Sequence, residues 1–310
     1  MQNLKDYIPA LKYGAKLPID SLAGSGILTF GNVYYVNSVT GSNTANTGTS
    51  PDQPFATIDR AFSSVTANQG DVIFVMPKHA ETITGTAGSG LTIDVADVRV
   101  IGLGTGNARP IITLATPTTT TITMSAANCS LENVILKGTV AELASMVTVS
   151  AAGCVLDNVD VQGGATSIIT FLTTTASADQ LTISNCQHMT TAAVTAAGPW
   201  INLVGADDCK IVNNYLNIVT KNDATSNIIG GTTTASLRIV VRGNEIYNLG
   251  TSCVPISPYT GSTGMISYNN VGGSKTAAAG MIAPASCYSC QNFVTNVTST
   301  SGKLDPVATA

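Results

Sequence analysis

Ser125-Ala-Ala-Asn-Cys129-Ser-Leu-Glu-Asn133-Val-Ile-Leu-Lys-Gly138 lies directly over Ser150-Ala-Ala-Gly-Cys154-Val-Leu-Asp-Asn158-Val-Asp-Val-Gln-Gly163, a shift of 25 residues. With Asn133 and Asn158 as anchor, later segments align on Asn185, Asn213, Gly243, Asn269 and Gln291, and earlier ones on Gly102 and Pro77, in steps of 22 to 31 residues. Thr173-Thr-Thr-Ala-Ser177 also recurs as Thr232-Thr-Thr-Ala-Ser236, about two periods on. A period in this range is the mark of a solenoid or related array, in which each repeat is one structural unit.

Four residues before the anchor stand Ile73, Val98, Cys129, Cys154, Leu181, Cys209, Ile239, Met265 and Cys287. Two before it stand Val75, Val100, Leu131, Leu156, Ile183, Ile211, Val241, Ser267 and Ser289. These columns are small or apolar, apart from the terminal serines, and the positions between them are mixed or polar. Such alternation predicts a strand with one buried face. Leu136, Val161, Leu216, Ile246 and Val294, three past the anchor, resume the inward row after a bend. One repeat cannot bury its apolar row alone, whereas parallel stacking at about 4.8 Å per turn buries all of them. The expected fold is therefore all-β, a right-handed parallel β-helix of about nine coils. The Asn column, Asn133, Asn158, Asn185 and Asn213, suits tight left-handed bends and amide bonds along the stack. A second column follows it at Asn214, Asn244, Asn270 and Asn292, with Asn269 as an anchor of the first.

Around this rod the chain divides into an arm (1–32), an opening strand, loop and capping helix (33–70), the β-helix (71–300) and a tail (301–310). Phe55, Ile58, Phe62 and Val65 share a helical spacing within Pro54–Val65, and a helix there would close the open apolar end of the rod. Tyr7, Ile8, Leu11, Tyr13, Leu17 and Ile19 lie outside the repeat and are candidates for docking the arm onto a partner. The strand Ile168-Ile-Thr-Phe-Leu-Thr-Thr-Thr175 is expected to turn apolar groups outward, toward sister copies.

Of the 310 residues only about a tenth are charged, 14 Lys+Arg and 18 Asp+Glu, while 44% are hydrophobic. The 43 Thr and 23 Asn supply the missing polarity. A net charge of −4 with no basic cluster argues against nucleic acid as a partner. No run of 18 apolar residues exists to cross a membrane, and Met1-Gln-Asn-Leu-Lys-Asp-Tyr-Ile has no secretory signal, so folding in a cytoplasm is expected. Cys129, Cys154, Cys209 and Cys287 share one inward column and read as core residues. Cys287-Tyr-Ser-Cys290 has no second CxxC and no nearby His, so neither a metal nor a cofactor is expected.

Gly102-Leu-Gly104-Thr-Gly106 is followed by a turn and a strand rather than a helix, which removes the dinucleotide-loop reading. Glu132 and Asp157 share an outward column one rung apart and are the candidate catalytic pair, since two carboxylates at that order of spacing suit a retaining glycosidase or Ca²⁺. The column continues as Ser184, Val212, Arg242 and Tyr268, with no third acid, so a pair of solvated charges near Lys137 or Lys210 is the preferred reading. Trp200 is the sole tryptophan and suits either a contact patch or the core.

Tyr34-Tyr-Val-Asn-Ser-Val-Thr-Gly-Ser-Asn43, Gly48-Thr-Ser-Pro51-Asp-Gln-Pro54-Phe-Ala-Thr-Ile58-Asp-Arg-Ala-Phe62 and Gly70-Asp-Val-Ile-Phe-Val-Met-Pro77 resemble the opening of many right-handed β-helix proteins, the pectate-lyase-like folds and phage spikes. The resemblance covers residues 33 to 300. With no secretory signal, few charges and no assembled catalytic constellation, the resemblance favours a virion structural protein of a tailed bacteriophage, assembled in the host bacterial cytoplasm. A capsid decoration or cement protein is the first expectation, a homotrimer bound to the major capsid protein or another virion protein. A tailspike or fibre receptor-binding protein, and a polysaccharide lyase or glycoside hydrolase, are the alternatives.

Overall fold

The computed structural model describes residues 31–85, 90–162, 168–190, 198–218, 227–274, 280–296 and 299–305. The first full coil consists of three short strands, Val72–Val75, Ala80–Ile83 and Thr92–Ile93, each the start of a parallel sheet. Repetition of this unit builds sheets of 10, 10 and 7 strands, here sheets 1, 2 and 3 in the order a coil visits them. The chain is an all-β parallel β-solenoid. Val33–Val36 extends sheet 1 ahead of the first coil. Ser299–Asp305 closes sheet 2 by pairing antiparallel to Asn292–Asn296, so regular structure runs past residue 300.

All nine rungs expected from the repeat are present in sheet 1, from Val72–Val75 to Ser286–Cys290. The complete coils number seven among the described residues, because the eighth meets sheet 3 only through the single bridge Ile256↔Ile282. Two residues past that bridge on either strand stand Pro258 and Pro284. Neither has an N–H with which to extend the ladder.

The register confirms the inward row. Ile73, Val100, Leu131, Leu156, Ile183, Ile211, Val241 and Ile266 stack rung upon rung, all of them buried. Two rungs differ from the sequence alignment. At the first, Ile73 rather than Val75 pairs with Val100. At the eighth, Gly264 and Ile266 face inward, and Met265 is 46% exposed. A slip of one residue would exchange Ile266 for Met265 on every contact, since strand periodicity is two. The close approach is also specific to glycine, as a Cβ on Gly264 would lie 2.0 Å from the Ile239 carbonyl oxygen.

From the third rung on, each coil bends into sheet 2 through one residue in the left-handed region: Asn133, Asn158, Asn185, Asn213, Gly243, Tyr268 and Gln291, with φ between 52° and 66°. The eighth anchor is thus Tyr268, and Asn269 belongs to the buried column beside it. That column is the true amide ladder. Asn214 Nδ2 donates to Asn244 Oδ1, Asn244 Nδ2 to Asn269 Oδ1 and Asn269 Nδ2 to Asn292 Oδ1, each at 2.9 Å. Every Nδ2 donates also to a carbonyl of the preceding coil, and every Oδ1 accepts a backbone N–H from it, starting with Cys186. Asn270 is not in the ladder. It is exposed on sheet 2, paired with Glu245 and Phe293. The outer column is discontinuous: Asn158 Nδ2 donates to Asn133 Oδ1 at 2.8 Å, but Asn185 turns instead to Asp157 Oδ1 at 2.7 Å.

The N-terminal end is closed by a helix shorter than its apolar spacing suggests, Ile58–Phe62, with Thr57 as its N-cap. Phe55 joins through an isolated bridge to Val36 instead of a helical turn, and its ring stacks on Tyr34. Glu81 on sheet 2 accepts the Ile58 N–H and holds His79, whose Nδ1 accepts from the Ser38 backbone. Ile58, Ala61 and Phe62 pack into the main core. The segment from Ile168 does not turn apolar groups outward: Ile168, Phe171 and Leu172 are buried in the core. The arm candidates Tyr7, Ile8, Leu11, Tyr13, Leu17 and Ile19 lie outside the described residues.

Candidate functional site

Glu132 and Asp157 are in register on neighbouring strands of sheet 1 and point outward, as their column requires. Their chemistry is committed to the scaffold. Arg99, at the outward position diagonal to Glu132 on the preceding rung, clamps it with both forks: Nε donates to Oε1 at 2.9 Å and a terminal nitrogen to Oε2 at 2.8 Å. Ser130 Oγ donates to the same Oε1 at 2.6 Å. Asp157 Oδ1 accepts from Ser184 Oγ and Asn185 Nδ2 at 2.6 and 2.7 Å. Thus Arg99, Glu132, Asp157 and Ser184 form one polar seam across four coils. The partner of Glu132 is Arg99 rather than Lys137 or Lys210, because the pleat puts outward positions two residues apart on adjacent rungs within reach of a long side chain.

Arg99, Ser130, Glu132 and Asp157 line a shallow depression with Asn128, Cys129 and Val155. Both carboxylates are engaged by scaffold donors, Glu132 by a guanidinium and a hydroxyl, Asp157 by a hydroxyl and a side-chain amide. Among the described residues no group of three or more His, Cys, Asp or Glu is placed to hold a metal ion. Other acids serve similar structural ends. Arg109 reaches Asp160 at 2.9 Å, and Arg238 binds Asp208 at 2.7 Å, which holds the Asp208 carboxyl below its ordinary value. Asp179 and Asp207 each accept a backbone N–H from the following rung.

The cysteines follow the expected column. Cys129, Cys154, Cys209 and Cys287 are buried, Cys290 is partly exposed, and no disulfide is present. Burial pushes the Cys154 and Cys287 thiols up to about 11, and those of Cys186 and Cys209 up to about 12. Thiolate chemistry is therefore suppressed at these positions. Gly104 and Gly106 shape a turn leading through the 3₁₀ segment Gly106–Ala108 into the strand Ile111–Leu114.

A polar cluster that the sequence pattern did not disclose lies inside the rod. Trp200 is fully buried, and its indole N–H donates to His188 Nδ1 at 2.8 Å. Phe171 meets the imidazole edge-on with ring centroids 4.2 Å apart. His188 Nε2 has no partner. Desolvation lowers the His188 pKa to about 3, and the indole donor already occupies the nitrogen that protonation would need. This is a neutral core histidine. A second set of left-handed residues also went unseen, just before sheet 1: Asp97, Asn128, Gly153, Gln180, Asp208, Arg238 and Ala285. Their side chains share no chemistry, so no residue column marks that bend.

No protein-family model matches the sequence, and no curated protein is similar to it. Solved structures are similar in fold. A pectin methylesterase in complex with a hexasaccharide is 14% identical, with 89% of this chain and 85% of that one covered, at a TM-score of 0.51. The pectin methylesterase PemA from Erwinia chrysanthemi is 13% identical over the same shares, at a TM-score of 0.47. ORF18 of Geobacillus virus E2 is 13% identical, covering 76% of this chain and 56% of that one, at a TM-score of 0.29. At such identities the likeness concerns the fold alone: a parallel β-solenoid with pectate-lyase-like neighbours.

Proposed function

We propose that this chain is a non-enzymatic structural protein of a tailed-bacteriophage virion, and within that class a capsid decoration or cement protein bound to the capsid surface. The observation that carries the non-enzymatic reading is the fate of the two outward carboxylates. Glu132 is held by Arg99 and Ser130, and Asp157 by Ser184 and Asn185, so both act as struts between coils. A rod of saturated amide bonds and buried columns suits a load-bearing role. The opening motif at Tyr34–Pro77, which resembles phage β-helix proteins, supplies the virion context. Homotrimerisation and docking through the 1–32 arm belong to the same proposal.

An antibody against the chain, applied to virions produced from the genome that encodes it, should label capsids. Labelling confined to tails would move the chain to the receptor-binding class, and unlabelled particles would overturn the virion assignment. Turnover of bacterial polysaccharides that disappears in Glu132→Gln or Asp157→Asn would overturn the non-enzymatic reading.

A further inference from the structure

We propose that the outer face of sheet 2, over its C-terminal coils, binds an uncharged oligosaccharide chain, with Tyr215, Tyr247 and Phe293 as stacking platforms. This goes beyond the virion reading and does not depend on it.

Two outward columns run along this face. Gln187, Tyr215, Glu245, Asn270 and Phe293 are in register in one, and Met189, Asn217, Tyr247, Gly272 and Thr295 in the other. Tyr215, Tyr247 and Phe293 are 36%, 50% and 43% exposed, in a chain with only 16 aromatics. Toward the N-terminus the same face carries Lys137, Gln162 and the Arg109-bound Asp160, and no ring. Rungs of about 4.8 Å put Tyr215 and Phe293 roughly 14 Å apart with Tyr247 between them, the length of a short oligosaccharide.

The Tyr247 ring is presented as a face. A Cβ on Gly272 would lie 2.7 Å from Tyr247 Cε2, so the Tyr247 ring lies down over the glycine and turns its other side to solvent. Between the rings stand the amides of Asn217 and Asn270 and the Glu245 carboxylate, groups that match sugar hydroxyls while the rings match C–H faces. The core of a protein interface is instead continuous in apolar area and poor in Glu. Among the described residues of the two columns Glu245 is the single charged one, so these columns offer no cation to a polyanion such as a polyuronate, and an uncharged chain fits.

The full chain should be applied to a printed array of neutral and uronic-acid-containing bacterial and plant polysaccharides, with affinity electrophoresis on each retained polymer. Retention of neutral polymers is expected. Tyr215→Ala and Tyr247→Ala should each weaken it by about tenfold, the loss of one stacked ring. Gly272→Ala should weaken it without lowering the melting temperature, because the added methyl lifts the Tyr247 ring while the backbone accepts alanine. Tyr259→Ala, outside this face, should leave it unchanged. Retention of acidic polymers alone, of none, or equally by the Tyr247→Ala variant would overturn the proposal. So would light scattering in which Tyr247→Ala dissolves an oligomer, since the occupant would then be a second copy.

Discussion

Asn269 receives the side-chain amide of Asn244 at Oδ1, 2.9 Å away, and the same oxygen accepts the Asn244 backbone N–H at 3.0 Å. One carboxamide thus satisfies both a neighbour's side chain and its main chain, inside a core where water cannot substitute. This geometry repeats from Asn214 to Asn292 in the C-terminal coils, whereas in the N-terminal ones Val134 and Val159 are buried just after the bend.

Asn269→Ala should cost about 2–4 kcal/mol, since it strands the Asn244 donors and the Val241 carbonyl in the core. Asn270→Ala should change stability by less than about 0.5 kcal/mol, being exposed. Urea denaturation of the two variants tests the register directly: equal midpoints would mean the ladder is misplaced.

The tie between these neighbours shows what the sequence could and could not decide. Asn213-Asn214 and Asn269-Asn270 are both Asn-Asn pairs, and aligning first on first places Asn269 at the bend. The coil in fact places Tyr268 there, because burying Ile266 in place of Met265 outweighs the cost, about 1 kcal/mol or more, of a tyrosine in left-handed backbone. The period, the inward rows and the cysteine column were legible because stacking forces like residues into register. Contacts that cross columns were not: Arg99 meets Glu132 diagonally, and Trp200 meets His188 across the interior. The exposed rings were visible as residues, but only the sheet 2 register places Tyr215, Tyr247 and Phe293 on one face.

Native protein treated with a thiol reagent near pH 8 should modify Cys290 and spare the other six cysteines, all of them buried. Burial with raised thiol pKa values leaves little thiolate at Cys154, Cys186, Cys209 and Cys287. Mass spectrometry should count one adduct in the native chain and seven in urea. Rapid labelling at Cys186, which heads the amide ladder, would contradict the packing there.

Glu132→Gln should lower stability by about 0.5–1 kcal/mol, because Arg99 is 38% exposed and solvent screens much of the pair. The loss should shrink in 1 M salt, which weakens the wild-type ion pair but leaves the amide unaffected. Denaturation at low and high salt measures both. A salt-independent loss would show that the Ser130 hydrogen bond, rather than the Arg99 charge, holds the seam.

Lowering the pH should weaken the fold through His188. Its folded pKa of about 3 lies below the ordinary 6.5, so the folded state favours the neutral ring. The contribution is complete above pH 6.5 and is lost as pH falls toward 3, at about 1.4 kcal/mol per pH unit. Between pH 7 and pH 5 the loss from this group is about 2 kcal/mol, in a window above most carboxylate titration. His188→Gln keeps an acceptor for the Trp200 indole and has no proton to gain, so its stability should fall by that much less over the same interval. Parallel slopes for the two proteins would mean that the imidazole is reached by water when protonated, and that the cluster of Phe171, His188 and Trp200 is looser than its 4.2 Å ring contact implies.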